Sequence, residues 1–182
     1  MHVREIEIDK AKDIIESVRK NTHNKLNFEG LFDLLETHNV RIRFVEFKVN
    51  AVGIATFDCI YVNLNFLHRI DIIYYTILHE MGHYLRINRF GFEYYVEHFL
   101  NNTIEDFFKY VINEEIIADR YAGFVGHYLN KDNTCFRNYS QGLEDVNKQE
   151  EYKELIEDLF DSIPKDYDEY VKFVHENIVY VK

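Results

Sequence analysis

The sequence predicts an α+β fold, with a small three-stranded sheet, antiparallel or mixed, packed on a mainly helical body. Three observations lead there. One proline and seven glycines in 182 residues leave few breaks, which favours long helices over flexible linkers. Apolar residues recur three and four apart over much of the chain, but between about residues 40 and 66 they shift toward alternation. With 47% apolar and 16% aromatic residues the chain can bury a core, and its length suits one domain. Within that domain, residues 1–39 read as N-terminal helices, 40–130 as the sheet plus the helices that carry the chemistry, and 131–182 as an acidic helical part.

Ile8, Ala11, Ile14, Ile15 and Val18 set a first helix over about Glu5 to Arg19, and a second covers Phe28 to Thr37. Strand character follows over Arg41 to Phe47, Val49 to Phe57 and Cys59 to Phe66. In the last, Ile60, Val62, Leu64 and Phe66 alternate with Tyr61, Asn63 and Asn65, the pattern of a half-buried strand, and Asp58-Cys59 makes the tight connection before it. A helix from about Ile70 to Ile87 comes next, with Tyr74, Leu78, Met81 and Leu85 as its core stripe. After an aromatic stretch from Phe90 to Phe99, Thr103-Ile104-Glu105-Asp106 resembles a capping box with Asp in place of Glu, opening a helix of up to about 25 residues. Two tail helices, about Asp145 to Ser162 and Asp166 to Val179, flank Pro164.

Composition excludes several function classes. No apolar run approaches the roughly 20 residues a membrane helix needs, and the charged start lacks an apolar leader, so a soluble, cytoplasmic protein is expected. Two cysteines, Cys59 and Cys135, sit in no Cys-x-x-Cys pair and supply neither a disulfide framework nor a thiolate zinc ribbon. They are expected to be inert buried thiols. The net charge of -11 is unevenly spread: residues 1–50 balance, residues 51–143 sum to -4 and residues 144–182 to -7. Such a surface repels phosphate backbones, so no direct nucleic-acid binding is expected. The acidic tail reads first as a solvated helix face, with a docking surface for a basic partner as the alternative.

The chemistry is concentrated in His79-Glu80-Met81-Gly82-His83. Helical positions four apart lie nearly above one another, so both imidazoles leave one face and can share a tetrahedral ion. Ile72 and Thr76 continue that stripe, which places the histidines beside the core stripe and not within it. Glu80 points about 100° around the axis, where its carboxylate can reach a water on the metal without becoming a ligand.

Two histidines need a third protein ligand, and the best candidate lies in Asn113-Glu114-Glu115-Ile116-Ile117-Ala118-Asp119-Arg120-Tyr121-Ala122. Glu115, Ala118, Asp119 and Ala122 share one helical face. Glu115 completes a two-His-plus-carboxylate set with a fourth position for water, the catalytic pattern of one zinc ion. The alanines let the motif helix approach. Asp119 can accept the free ring N–H of His79 or His83 and fix its tautomer. Glu114 is the competing ligand, about 100° off that face.

His-Glu-x-Gly-His followed by Glu-x-x-Ala-Asp-x-Tyr-Ala resembles the gluzincin metallopeptidases of the ImmA/IrrE type. The order of helices, small sheet, a Tyr-Val-Asn strand end at Tyr61 to Asn63, and motif helix is similar too, over about residues 40–127. The resemblance implies a zincin-like domain, zinc held by His79, His83 and Glu115, Glu80 as catalytic base and Asp119 behind the ligands. It also implies proteolysis of a regulatory protein such as a helix-turn-helix repressor, here a separate chain since no such module occurs in this sequence. The 31 residues between His83 and Glu115 depart from the family pattern.

The expected function is therefore a soluble zinc endopeptidase of narrow specificity. Substrate would add as a strand along Val49 to Phe57. The oxyanion stabiliser is unassigned, with His98, Arg120, Tyr121 and His127 as weak candidates. His2, His23, His38, His68 and His175 show no ligand spacing and are expected in solvent. Two alternatives stand beside the peptidase: a non-catalytic partner-binding protein that keeps the fold, and a di-iron bundle, since Glu80-x-x-His83 also reads as Glu-x-x-His. The latter needs a second copy of the pair, which the predicted helices lack.

Overall fold

The computed structural model describes residues 4–100, 103–131, 153 and 166–181. Apart from Lys153, the predicted tail helix at Asp145 to Ser162 lies outside the described residues, as do Pro164, Cys135 and His2.

The sheet is mixed and has four strands, not three. In chain order they are β1 (Glu5–Ile6), β2 (Ile42–Val45), β3 (Gly53–Ala55) and β4 (Ile60–Asn63), arranged β1-β2-β4-β3. The added strand comes from the segment expected to open the first helix. Ile6 pairs antiparallel with Phe44, and the Glu5 carboxylate accepts two hydrogen bonds from Arg43 at 2.7 and 3.0 Å. This pairing pulls two residues out of the helical pattern, so α1 runs Ile8–Thr22. β2 lies parallel to β4 and β3 antiparallel to it, which makes β4 central and β3 an edge.

Strand alternation sorts the side chains onto two covered faces. Phe44, Ala55, Ile60 and Val62 join the main core with α1, α2 (Phe28–Thr37) and α3 (Ile70–Leu100). Val45, Phe47, Cys59 and Tyr61 meet Val174 and Val179 of the C-terminal segment on the other face. That second cover is why Tyr61 and Asn63, expected to be half exposed, are buried along with the rest of β4. The strand also stops earlier than its alternation suggests. Asn63 accepts from the Asn65 N–H and caps a 3-10 turn over Leu64–Phe66.

α2 matches its predicted bounds because Asn27 caps it, accepting from the Gly30 N–H at 2.9 Å. The same Asn27 donates from its backbone N–H to the Asn130 side chain at 2.8 Å, and Asn130 in turn donates to the Tyr74 hydroxyl at 2.9 Å. Three helices are thereby fixed at one corner.

α3 keeps its core stripe, with Tyr74, Leu78 and Met81 fully buried, but continues past Ile87. It breaks at Gly91, where φ is 81° and ψ 167°. Such a backbone suits glycine alone, and it redirects the aromatic stretch that follows. α4 (Ile104–Asn130) opens on Thr103, whose hydroxyl accepts from the Asp106 N–H, as the capping signal predicts. α3 and α4 pack closely: a Cβ on Gly82 would stand 3.0 Å from the Ala118 Cα. Ala118 and Ala122 are fully buried in this contact. The chain ends in α5 (Tyr167–Phe173), capped by Asp166, and a π-helical turn over Val174–Ile178. No helix among the described residues is long and apolar enough to cross a membrane.

Candidate metal centre

α3 and α4 bring His79, His83 and Glu115 together, as their shared helical faces predict. Glu115 spans both rings: one carboxylate oxygen lies 3.2 Å from the His79 Nε2 and the other 3.2 Å from the His83 Nε2. The two Nε2 atoms are 3.1 Å apart. A tetrahedral ion with bonds of about 2.0–2.1 Å sets its ligand atoms about 3.3–3.4 Å apart, close to the separation of the two Nε2 atoms, and Glu115 offers one oxygen beside each ring. The donor set also fits, with two imidazole nitrogens and one carboxylate whose potential ligand atoms lie within 4.8 Å of one another. These three residues could hold a metal ion.

Asp119 is 6% exposed and lies beneath His79, with Oδ1 2.8 Å from Nδ1. It does not serve His83, the other option open from sequence. An ionised carboxylate only accepts, so His79 Nδ1 carries a proton toward Asp119, which leaves Nε2, the nitrogen that faces Glu115, as the one that would bind a metal. Tyr75 donates its hydroxyl to the same Asp119 oxygen. Sequence reasoning missed Tyr75, although Tyr75, His79 and His83 stand at i, i+4 and i+8. Glu114 is turned away and accepts two hydrogen bonds from Arg86, both 2.6 Å.

The electrostatics follow from packing. Burial alone would lower the His79 pKa, but hydrogen bonds to Asp119 and Glu115 reverse this and carry it up to about 10. Burial works against the charged Glu115, yet the two imidazoles hold its carboxyl well below the ordinary range. Glu80 is raised, first by burial, against the pull of the two imidazoles and a hydrogen bond from Ala55.

A cleft of about 330 Å³ opens over these groups, lined by His79, Glu80, His83, Glu115, Ile87, Tyr170 and the whole of β3. Ladder bonds from Thr56 N to Cys59 O and from Asn63 N to Val52 O turn the N–H and C=O of Gly53 and Ala55 outward, toward the cleft. Gly53 is held tightly: a Cβ there would meet Thr76 Cγ2 at 2.5 Å and Glu80 Cγ at 2.9 Å. Of the weak oxyanion candidates, Arg120, Tyr121 and His127 do not line the cleft, and the His98 side chain lies outside the described residues. Tyr170 was not anticipated. It arrives from a segment about 90 residues along the chain, which no local pattern announces. His175 is also not a solvent histidine, since its Nε2 lies 3.0 Å from the Tyr61 hydroxyl.

No family model matches the chain, and neither a curated protein nor a solved structure matches it.

Proposed function

We propose that this protein is a zinc-dependent endopeptidase of the gluzincin type, built on a zincin-like domain. One observation carries the proposal: two Nε2 atoms and a carboxylate converge with ligand atoms within 4.8 Å of one another while a second carboxylate, Glu80, shares their cleft with an edge strand. A binding module has no use for Glu80 at that place. Among the described residues there is one such ligand cluster, which favours a single ion over a di-iron centre.

His79, His83 and Glu115 would hold the zinc, and Asp119 keeps His79 in the tautomer that can bind it. Zinc bound there supplies a Lewis acid and makes water nucleophilic near neutral pH. Glu80, with its raised proton affinity, takes the proton of the attacking water and delivers it to the leaving amine. The outward N–H and C=O of Gly53 and the C=O of Ala55 would hold the peptide as an added strand, while the Ala55 N–H bonds Glu80. The resemblance of the two motifs to the ImmA/IrrE type nominates a regulatory protein, such as a helix-turn-helix repressor, as substrate.

Elemental analysis of the purified protein and proteomic comparison of cells expressing wild type or Glu80→Gln test the proposal. One zinc per chain in both proteins, with substrate cleavage by wild type alone, is expected. Cleavage of the same proteins by Glu80→Gln would overturn it.

A further inference from the structure

The cleft is polar on one side and apolar on the other. His79, Glu80, His83 and Glu115 form the polar side, with Ile87 one turn beyond His83 on α3, while Ile54 and Tyr170 line the cleft from the second face of the sheet. Behind Tyr170 stand three more rings. Phe57 meets Tyr170 edge-on at 5.9 Å and Tyr167 at 5.8 Å, and Phe92 lies 5.1 Å from Phe57 and 6.1 Å from Tyr170.

Distant parts of the chain are fixed in order to build this wall. The break at Gly91 lets Phe92 turn onto Phe57. Phe57 sits in the turn after β3, which is closed by Thr56 through bonds to Asp58 and the Cys59 carbonyl. The C-terminal segment is pinned to the sheet by a bridge between Phe47 and Val179. Lys48 Nζ also donates to the carbonyls of His175 and Glu176 at 2.8 and 2.7 Å.

Sheet geometry connects the wall to a bound peptide. Gly53 and Ala55 face α3, whereas Ile54 belongs to the opposite face, with Tyr61 and Tyr170. In a strand added beside β3, the residue level with Ile54 therefore turns its side chain to the Tyr170 face, and its neighbours turn theirs to the metal-ligand face.

Resting on the peptidase function proposed above, we infer that Tyr170 and Ile54 form a specificity subsite that selects peptides with a bulky apolar side chain next to the scissile bond. The C-terminal segment is then part of the substrate site and not only a cover for the sheet. Substrates are chains that present a large apolar residue in an extended stretch, and charged residues at that position are rejected because the rings give no partner for them.

The chain has no tryptophan, so a peptide carrying one reports its own environment. Zinc-loaded Glu80→Gln protein is titrated with an alanine pentapeptide bearing a central Trp, followed by competition with otherwise identical peptides bearing Gly or Asp. The expected result is a blue shift of Trp emission and binding at least about tenfold tighter than for either competitor. Tyr170→Ala and Ile54→Thr, each checked for an unchanged melting profile, should reduce that preference about tenfold. Phe124→Ala, at an exposed site on α4, should not change it. Equal binding of the three peptides, no binding at all, or a preference untouched in both subsite variants overturns the subsite. The two proposals fail separately. Peptide cleavage by wild type without Trp preference defeats the subsite alone, and Trp-selective binding without cleavage by wild type of this or any candidate protein defeats the peptidase alone.

Discussion

Asp119 accepts the Nδ1 proton of His79 at 2.8 Å, and that one bond decides which nitrogen of His79 faces Glu115. Tyr75 donates to the same oxygen, so the carboxylate is itself held in place. Removing an orienting partner of this kind typically costs 10–100-fold in metal affinity. Asp119→Asn should therefore weaken zinc binding by about 10–100-fold, because an amide can present its N–H to Nδ1 and favour the wrong tautomer. Tyr75→Phe should weaken it less. Competition against a chromophoric chelator measures both, and unaltered zinc affinity in Asp119→Asn would remove the orienting role.

Glu114 and Glu115 are adjacent in sequence and opposite in role. Glu115 bridges the two histidines, whereas Glu114 holds Arg86 through two bonds of 2.6 Å. Glu115→Ala should abolish stoichiometric zinc. Glu114→Ala should keep the zinc and lose stability of about 1–2 kcal/mol, between the values for exposed and buried pairs since both side chains are part-buried. Metal content and chemical denaturation of the two variants read these outcomes directly, and reversed results would reverse the assignment.

How much of this was legible in the sequence depends on how local each cause is. The bounds of α2 follow from one capping residue, Asn27, and the facing of Glu115 and Asp119 follows from helical geometry alone. Both could be read directly. β1 could not, because Glu5 and Ile6 are strand only through Val45 and Phe44, about 40 residues away. The same holds for Tyr61, whose burial is imposed by Val174 and Val179 from the far end of the chain. Tyr170 reaches the cleft through that same long-range docking. The service of Asp119 to His79 and not to His83 depends on how α3 and α4 are rotated against each other, which the close approach of Gly82 to Ala118 helps to set.

The buried thiol gives a pH-dependent test of the second sheet face. Cys59 is 2% exposed and burial pushes its pKa up to about 11 from an ordinary 9.0. At pH 8 the thiolate fraction is then about a hundredfold below that of an ordinary thiol, and alkylation should slow at least as much. The fold favours the protonated form, so this contribution to stability is fully present below about pH 9. It is lost as pH rises from about 9 through about 11. Peptide-resolved labelling with iodoacetamide, native against unfolded, measures it. Rapid native labelling of Cys59 at pH 8 would mean that the C-terminal segment does not cover this face.

Gly53 separates metal binding from catalysis. A Cβ at this position would meet Thr76 Cγ2 at 2.5 Å and Glu80 Cγ at 2.9 Å, and neither atom is the free end of a long side chain. Gly53→Ala must therefore push the Glu80 side chain away from β3 or push the edge strand away from α3. The three atoms nearest such a methyl belong to Thr76 and Glu80 and not to His79, His83 or Glu115, so zinc content should be unchanged. Glu80 is also held by a hydrogen bond from Ala55, which the same displacement lengthens. A misplacement on the order of 1 Å at a proton-transfer group can cost about a hundredfold in rate. The expected phenotype is a zinc-replete protein with kcat reduced by about tenfold to a hundredfold and a melting temperature lowered by a few degrees. Gly53→Ala with full kcat and full zinc would show that Glu80 does not act from the place where β3 holds it.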